Sequence, residues 1–208
     1  MKLYRFLKGL FLGLIKFLFR IKSKNAENEP TQAPFIICSN HISFADVILI
    51  GAVIKHPVRF LAKAELFKIP VLGAFFKAMG AFPIKRGTAD VGAIKTTLKL
   101  LADKEVVAVF PQGTRCPDVD VASTEPKSGA AMMAYRAEAP VLPIYIDTKN
   151  NRLKLFKRNT VRVGRLITFE EMGFEGGTKS EYERVTKLIF DRIIMLSEEA
   201  KAEREAQK

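Results

Sequence analysis

The chain of 208 residues has little of what staples or metallates a small protein: two cysteines and two histidines. Cys38 and Cys116 stand in unlike contexts, which excludes the disulfide framework of a small secreted domain. With only His41 and His56 to join them, and no metal-ligand spacing, no metal site is expected. Long apolar runs are missing as well. The longest uncharged stretch in the first 24 residues is Gly9–Ile15, far short of the roughly 20 residues that a spanning helix needs. A secretory leader requires small residues at its cleavage site, and Phe19-Arg20-Ile21-Lys22 offers none. There is no internal repeat and no low-complexity tract. Hydrophobic residues make up 48% and charged residues 27%, the balance of a folded domain with a full core.

Acids are absent before Glu27, whereas the first 24 residues hold seven cations. The remainder has 27 cations against 22 acids, so most of the net charge of +12 belongs to one segment. At about 100° per residue, Phe6, Leu7, Leu10, Leu14, Phe17 and Leu18 share one face, and Lys2, Arg5, Lys16 and Arg20 the other. That is the pattern of a helix lying in a membrane interface, with its cations toward anionic headgroups. A basic helix packed on its own domain remains the alternative. No nucleic-acid partner is expected: without residues 1–24 most of the basicity goes, and no basic stripe or aromatic platform is evident.

Beyond a polar linker at 25–33, short apolar runs alternate with helical patterns. Strands are expected at 34–38, 58–62, 106–110, 141–146 and 161–167. Helices are expected at 43–54, 65–79 (interrupted by Pro70), 90–102, 129–137 and 179–206. The alternation predicts a single α/β domain with a mixed, largely parallel sheet flanked by helices.

Three polar clusters fall at strand ends or edges, where α/β proteins place their chemistry. After the first buried strand comes Asn40-His41-Ile42-Ser43-Phe44-Ala45-Asp46. With His41 on the turn and Asp46 in the first helical turn, the carboxylate folds back onto the imidazole and makes it a general base. A plain capping box, with Ser43 as N-cap and Asp46 three residues on, explains the same residues without chemistry. Phe110-Pro111-Gln112-Gly113-Thr114-Arg115 follows another buried strand and puts Thr114 and Arg115 on a tight loop suited to phosphate or carboxylate. Gly80–Gly87 ends in Lys85-Arg86, two more anion-binding cations.

In this order and spacing the segments resemble the lysophosphatidic acid acyltransferase family of glycerolipid synthesis. His41-x4-Asp46 resembles its catalytic pair, Gly80–Arg86 its loop ending in a phosphate-binding arginine, and Phe110–Arg115 its Phe-Pro-Glu-Gly-Thr-Arg motif. Ala139-Pro140-Val141-Leu142-Pro143 resembles its Pro-flanked strand near the acyl site. The resemblance runs from about Phe35 to Ile167. It implies transfer of a fatty acyl group from a thioester of acyl carrier protein or coenzyme A to the sn-2 hydroxyl of lysophosphatidic acid, giving phosphatidic acid. In that reaction His41 is the base and Asp46 its partner. Arg86, Arg115, Lys85, Thr114 and Gly113 hold the phosphate, Gln112 positions the acceptor, and Pro140, Val141 and Pro143 line the acyl site. No cofactor is implied, only the thioester co-substrate. Gln112 departs from the motif's glutamate, which leaves glycerol-3-phosphate or another lysophospholipid as rival acceptors, and a non-catalytic lipid-binding role as a further rival. The expected organisation is a membrane-interface helix at 1–24, a linker at 25–33 and the acyltransferase domain at 34–208. The expected place is the cytoplasmic face of the cell membrane, peripheral or monotopic.

Overall fold

The structure is a computed structural model that describes residues 13–78, 80–85 and 90–207. A seven-stranded sheet runs through it, built from β1 (Ile21–Lys24), β2 (Phe35–Ser39), β3 (Val58–Lys63), β4 (Ala81–Ile84), β5 (Val106–Val109), β6 (Val141–Thr148) and β7 (Asn159–Val163) in the order β1-β7-β6-β2-β5-β3-β4. All neighbours are parallel except β6 and β7. Parallel neighbours need long crossovers. The helices α2 (Asp46–Val53), α3 (Pro70–Ala78), α4 (Val91–Ala102) and α5 (Gly129–Ala137) lie in the connections between successive strands from β2 to β6. A short α6 (Phe169–Met172) and a long α7 (Lys179–Glu205) follow the sheet. A further helical stretch, α1, occupies residues 13–18.

The continuous apolar runs read in the sequence are the strands covered on both faces. Every residue of β2 is buried. Phe35 and Ile37 pack with Leu49 and Ile50 of α2 in one core layer. Ile36 and Cys38 pack on the other face with α4, α5 and α7. Val185, Ile189, Ile193, Leu196 and Ala200 of α7 recur every three or four residues and are buried together, the stripe that seats a helix on a sheet. Thr178 and Glu181 cap its start in a reciprocal box.

Three segments differ from expectation. Residues 21–24 are strand β1, not the end of an amphipathic helix. Arg20 turns the chain at φ 43°, and Ile21–Lys24 then pairs with β7, an edge that would otherwise stand open. Of the expected helix only 13–18 is described as helical, and residues 1–12 lie outside the described residues. The 25–33 linker is pinned: Asn28 donates to the Val163 carbonyl, and the Glu29 carboxylate accepts the N–H groups of Lys55 and His56. Burial raises the Glu29 pKa, but those N–H groups and the His56 ring outweigh it, so its carboxyl lies below its ordinary value. The strand expected at 161–167 starts earlier and ends at Val163, with one further bridge from Ile167 to Val141.

Candidate active site

Strands β2 and β5 are adjacent and parallel, so the loops that leave their carboxyl ends meet. The Cys116 N–H donates to the His41 carbonyl at 2.7 Å. His41 is 5% exposed and stacks on the Phe110 ring, centroids 4.0 Å apart and planes 13° from parallel. The carboxylate of Asp46, wholly buried at the start of α2, reaches back across this loop. Its Oδ2 accepts from His41 Nδ1 at 2.7 Å, from the Ile42 N–H at 2.7 Å and from the Ser43 N–H at 2.9 Å. An ionised carboxylate only accepts, so Nδ1 carries the proton and Nε2 keeps its lone pair. No hydrogen bond among the described residues engages Nε2. Asp46 Oδ1 is buried without a partner.

The capping box does not form as expected. Ala45 is the N-cap, with no side-chain cap bond. Ser43 Oγ instead accepts from the Ala45 N–H at 3.2 Å. Half of the box survives in inverted use, with the carboxylate bonding the loop's N–H groups and the imidazole together.

Gln112 is 6% exposed, and both ends of its amide are engaged within the protein. Oε1 accepts the His41 backbone N–H at 2.7 Å, and Nε2 donates to Thr124 Oγ1 at 2.9 Å. The Thr124 hydroxyl in turn donates to the Val121 carbonyl. Gln112, expected to position the acceptor, here spends its amide on the backbone of the histidine loop and on Thr124. Nothing in the sequence pattern signals this, because the bond spans 71 residues.

Beside this loop lies an open, mainly apolar cavity of about 500 Å3, well within the range of ligand sites. Leu61, Ile84, Ile94, Val109, Met132 and Met133 form much of its wall, and Phe110 both lines it and carries the His41 ring. Lys85, Gly113 and Lys127 also line it. Gly113 sits at φ +69°, where its N–H closes a turn onto the Phe110 carbonyl at 2.9 Å. A Cβ there would come within 3.2–3.4 Å of the Lys127 side chain, so glycine serves both the turn and the lysine's approach. Lys127 was not among the expected site residues. Its signal is positional: it ends the long loop after β5, and its N–H returns to the Pro111 carbonyl at 2.8 Å.

The other expected residues divide. Thr114 is exposed. Arg115 is exposed too, with its guanidinium 3.6 Å from the centre of the Phe44 ring, a cation–π contact at the mouth of the histidine loop. The Lys85 N–H is held by Asp90, which also caps α4. Arg86 lies outside the described residues. Pro140, Val141 and Pro143 do not reach the cavity. Val141 and Pro143 lie on β6, and Pro140 immediately precedes it; β6 is flanked by β2 and β7 and covered on both faces, so Val141 is buried in the core under α5 and α7. These three, expected to line an acyl site, are not among the residues lining this cavity, whose walls come from β3, β4, β5, α4 and α5. Burial pushes the Cys38 thiol up to about 12, which makes it packing and not a nucleophile. Among the described residues no side-chain cluster suits a metal ion, and no helix is long and apolar enough to cross a membrane.

A family model described as "Acyltransferase" matches residues 20–147. The chain is 32% identical over 162 residues to the 1-acyl-sn-glycerol-3-phosphate acyltransferase of Bacillus subtilis, covering 77% of this chain and 79% of that protein. It is 31% identical over 147 residues to the chloroplastic 1-acyl-sn-glycerol-3-phosphate acyltransferase LPAT1 of Arabidopsis thaliana, covering 69% of this chain and 40% of the plant protein. Among solved structures, the crystal structure of the 1-acyl-sn-glycerophosphate acyltransferase PlsC from Thermotoga maritima superposes with a TM-score of 0.68 at 25% identity, over 88% of this chain and 72% of that one.

Proposed function

The chain belongs to the acyltransferase family, and on that premise we propose that it acylates the sn-2 hydroxyl of a 1-acyl-glycerol 3-phosphate, using a fatty acyl thioester of coenzyme A or acyl carrier protein and producing phosphatidic acid. The observation that carries this reading is the His41–Asp46 pair, 2.7 Å apart, with Nε2 unengaged and the ring resting on a wall of an apolar cavity bordered by two lysines.

The cavity's apolar walls suit an acyl chain, and Lys85 and Lys127 suit the acceptor's phosphate. Arg115, exposed on Phe44, is a third cation for the phosphate, and Arg86 is the fourth by its place in the sequence. Binding sets the free hydroxyl against the thioester carbonyl carbon. As the oxygen attacks, Nε2 of His41 takes its proton, and Asp46 stabilises the imidazolium and fixes the ring. The tetrahedral oxyanion then collapses. The carbon–sulfur bond breaks, the thiolate leaves, and the imidazolium returns the proton to sulfur. Direct attack by the acceptor makes an enzyme nucleophile unnecessary, consistent with the neutral, buried Cys38. Acceptor and product both reside in bilayers. The amphipathic amino-terminal segment supports a protein that works from the membrane surface, and its cations favour the cytoplasmic leaflet.

The test supplies purified protein with acceptor in vesicles and, in parallel, palmitoyl coenzyme A and palmitoyl acyl carrier protein. Phosphatidic acid is followed by mass spectrometry and free thiol by colour. The expected result is one thiol released per phosphatidic acid formed, and only when acceptor is present. Thiol release that ignores the acceptor, or acylation of glycerol-3-phosphate in preference to its 1-acyl form, overturns the reading.

A further inference from the structure

A second basic, apolar element lies away from the amino terminus. Between Thr148 and Thr168 there are seven cations and no acid. Arg152, Arg162 and Arg165 are paired with carboxylates. Lys149, Lys154, Lys157 and Arg158 have no carboxylate at ion-pair distance among the described residues. Amid these cations, at the tip of the β6–β7 loop, Leu155 is 53% and Phe156 55% exposed. Phe156 is held at φ +58°, a conformation that bulky residues rarely adopt and that persists only where surrounding structure imposes it. Here the Phe156 N–H donates to the Leu18 carbonyl at 2.6 Å. The loop tip is thus bonded to the amino-terminal segment, where Leu14 and Phe17 are 52% and 70% exposed. Lys16, Phe17, Arg20, Ile21, Lys22 and Phe156 together line a groove of about 490 Å3. Lys16, Arg20 and Lys22 have no carboxylate partner among the described residues either.

Topology puts this patch at the working end of the sheet. β6 runs parallel to β2, so the loop after Thr148 leaves at the same end as the His41 loop. β1 runs parallel to β7, which is antiparallel to β6, so the segment that enters β1 sits at that end too. The β6–β7 loop is also tied directly to the loop after β5. The Asn151 side chain donates to the Val119 carbonyl, and Arg152 pairs with Asp118, in the loop that bears Gln112 and Cys116.

We propose that the β6–β7 loop tip, Lys154–Arg158, is a second bilayer-docking element that inserts Leu155 and Phe156 among the acyl chains beside Leu14 and Phe17, with its cations on anionic phospholipid headgroups. This deepens the proposed function and rests on its membrane reading. Four large exposed apolar side chains, in segments whose cations have no carboxylate partner among the described residues, match an anionic lipid surface on both counts. A nucleic acid would use the cations and leave Leu14 and Leu155 in water. Docking through two elements at one end fixes which end of the sheet faces the lipid, so the acceptor passes from bilayer to His41 without crossing the solvent.

The test uses the full chain and vesicles of phosphatidylcholine, with or without a quarter phosphatidylglycerol. Leu155→Ser/Phe156→Ser is expected to lower partition onto the anionic vesicles about tenfold or more, with the melting temperature unchanged. Lys154→Glu/Lys157→Glu, which leaves the apolar tip intact, is expected to lower partition onto the anionic vesicles only, and it decides the matter if the first variant does not fold. Acylation of a short-chain acceptor below its micellar concentration is expected to stay within twofold of wild type, while acylation of vesicle-borne acceptor falls with partition. Wild-type partition by the folded variants overturns the proposal. So does a patch whose mutation abolishes duplex-oligonucleotide binding or dissociates a wild-type dimer and leaves vesicle binding intact. Partition is read without catalysis, so an inert protein that still needs the loop to bind vesicles would sink the reaction reading and spare this one.

Discussion

Asp46→Asn separates charge from geometry in this site. Three N–H groups converge on a single oxygen, Oδ2, while Oδ1 is buried without a partner. An asparagine whose oxygen takes the Oδ2 position keeps all three bonds. The flipped amide would set an NH2 group against three donors, each unmade bond costing about 1–3 kcal/mol. The variant therefore retains the tautomer and orientation of His41 and loses only the negative charge. Opposite charges about 4 Å apart attract by about 4 kcal/mol at an effective dielectric of 20. If the imidazolium is fully formed in the transition state, kcat falls about a thousandfold, with little change in the KM of either substrate. The new NH2 group at the Oδ1 position finds no acceptor, so stability drops by about 1–3 kcal/mol. Initial rates of phosphatidic acid formation, with a denaturant titration alongside, read both effects. A loss below tenfold refutes charge development on His41. A loss as deep as that of His41→Ala refutes the argument that the oxygen stays in place.

Three further outcomes follow from particular contacts. Gln112→Glu should cost about 1–3 kcal/mol in a urea titration, because a buried carboxylate oxygen would face the Thr124 hydroxyl, whose proton is already given to Val121; equal or higher stability would contradict the network. Glu203, bonded to Arg162 and Lys24, has its carboxyl lowered from 4.5 to about 2. It therefore adds stability that is present above pH 4.5 and lost as the pH falls toward 2. Glu203→Gln should flatten the pH dependence of the unfolding free energy across that window, by no more than about 1 kcal/mol for so exposed a carboxylate, and an unchanged profile would refute the coupling. Met132→Trp, which fills part of the cavity, should lower kcat/KM for palmitoyl thioester by about tenfold or more and spare an octanoyl donor; equal losses would move the acyl chain elsewhere.

Much of the fold is legible in the sequence because its central strands are covered on both faces and read as unbroken apolar runs. Phe35–Ser39 and Val106–Val109 stand where expected, and Gly129–Ala137 is helical over the expected range. The approach of Asp46 to His41 is legible too, since it depends only on a turn entering a helix. Strand β1 is not. Ile21–Lys24 carries a helical hydrophobic pattern inherited from the residues before it, and only pairing with β7, more than 130 residues away, makes it a strand. The amide of Gln112 and the cavity walls are equally non-local. The charge reading missed a second concentration for a different reason: the modest excess beyond residue 24 looks diffuse until the acid-free Thr148–Thr168 stretch is taken by itself. Within it, strand pairing leaves the loop tip's cations and apolar side chains together at the surface.

The central claim is that His41 is the base of an acyl transfer to a lysophosphatidic acid. The most direct measurement is the steady rate of phosphatidic acid formation by wild type and His41→Ala in the same vesicles, with melting temperatures recorded for both. The account predicts product from the wild type and a loss of about ten thousandfold, deeper than that of Asp46→Asn, in a variant that is still folded. A folded His41→Ala within tenfold of wild type would contradict it.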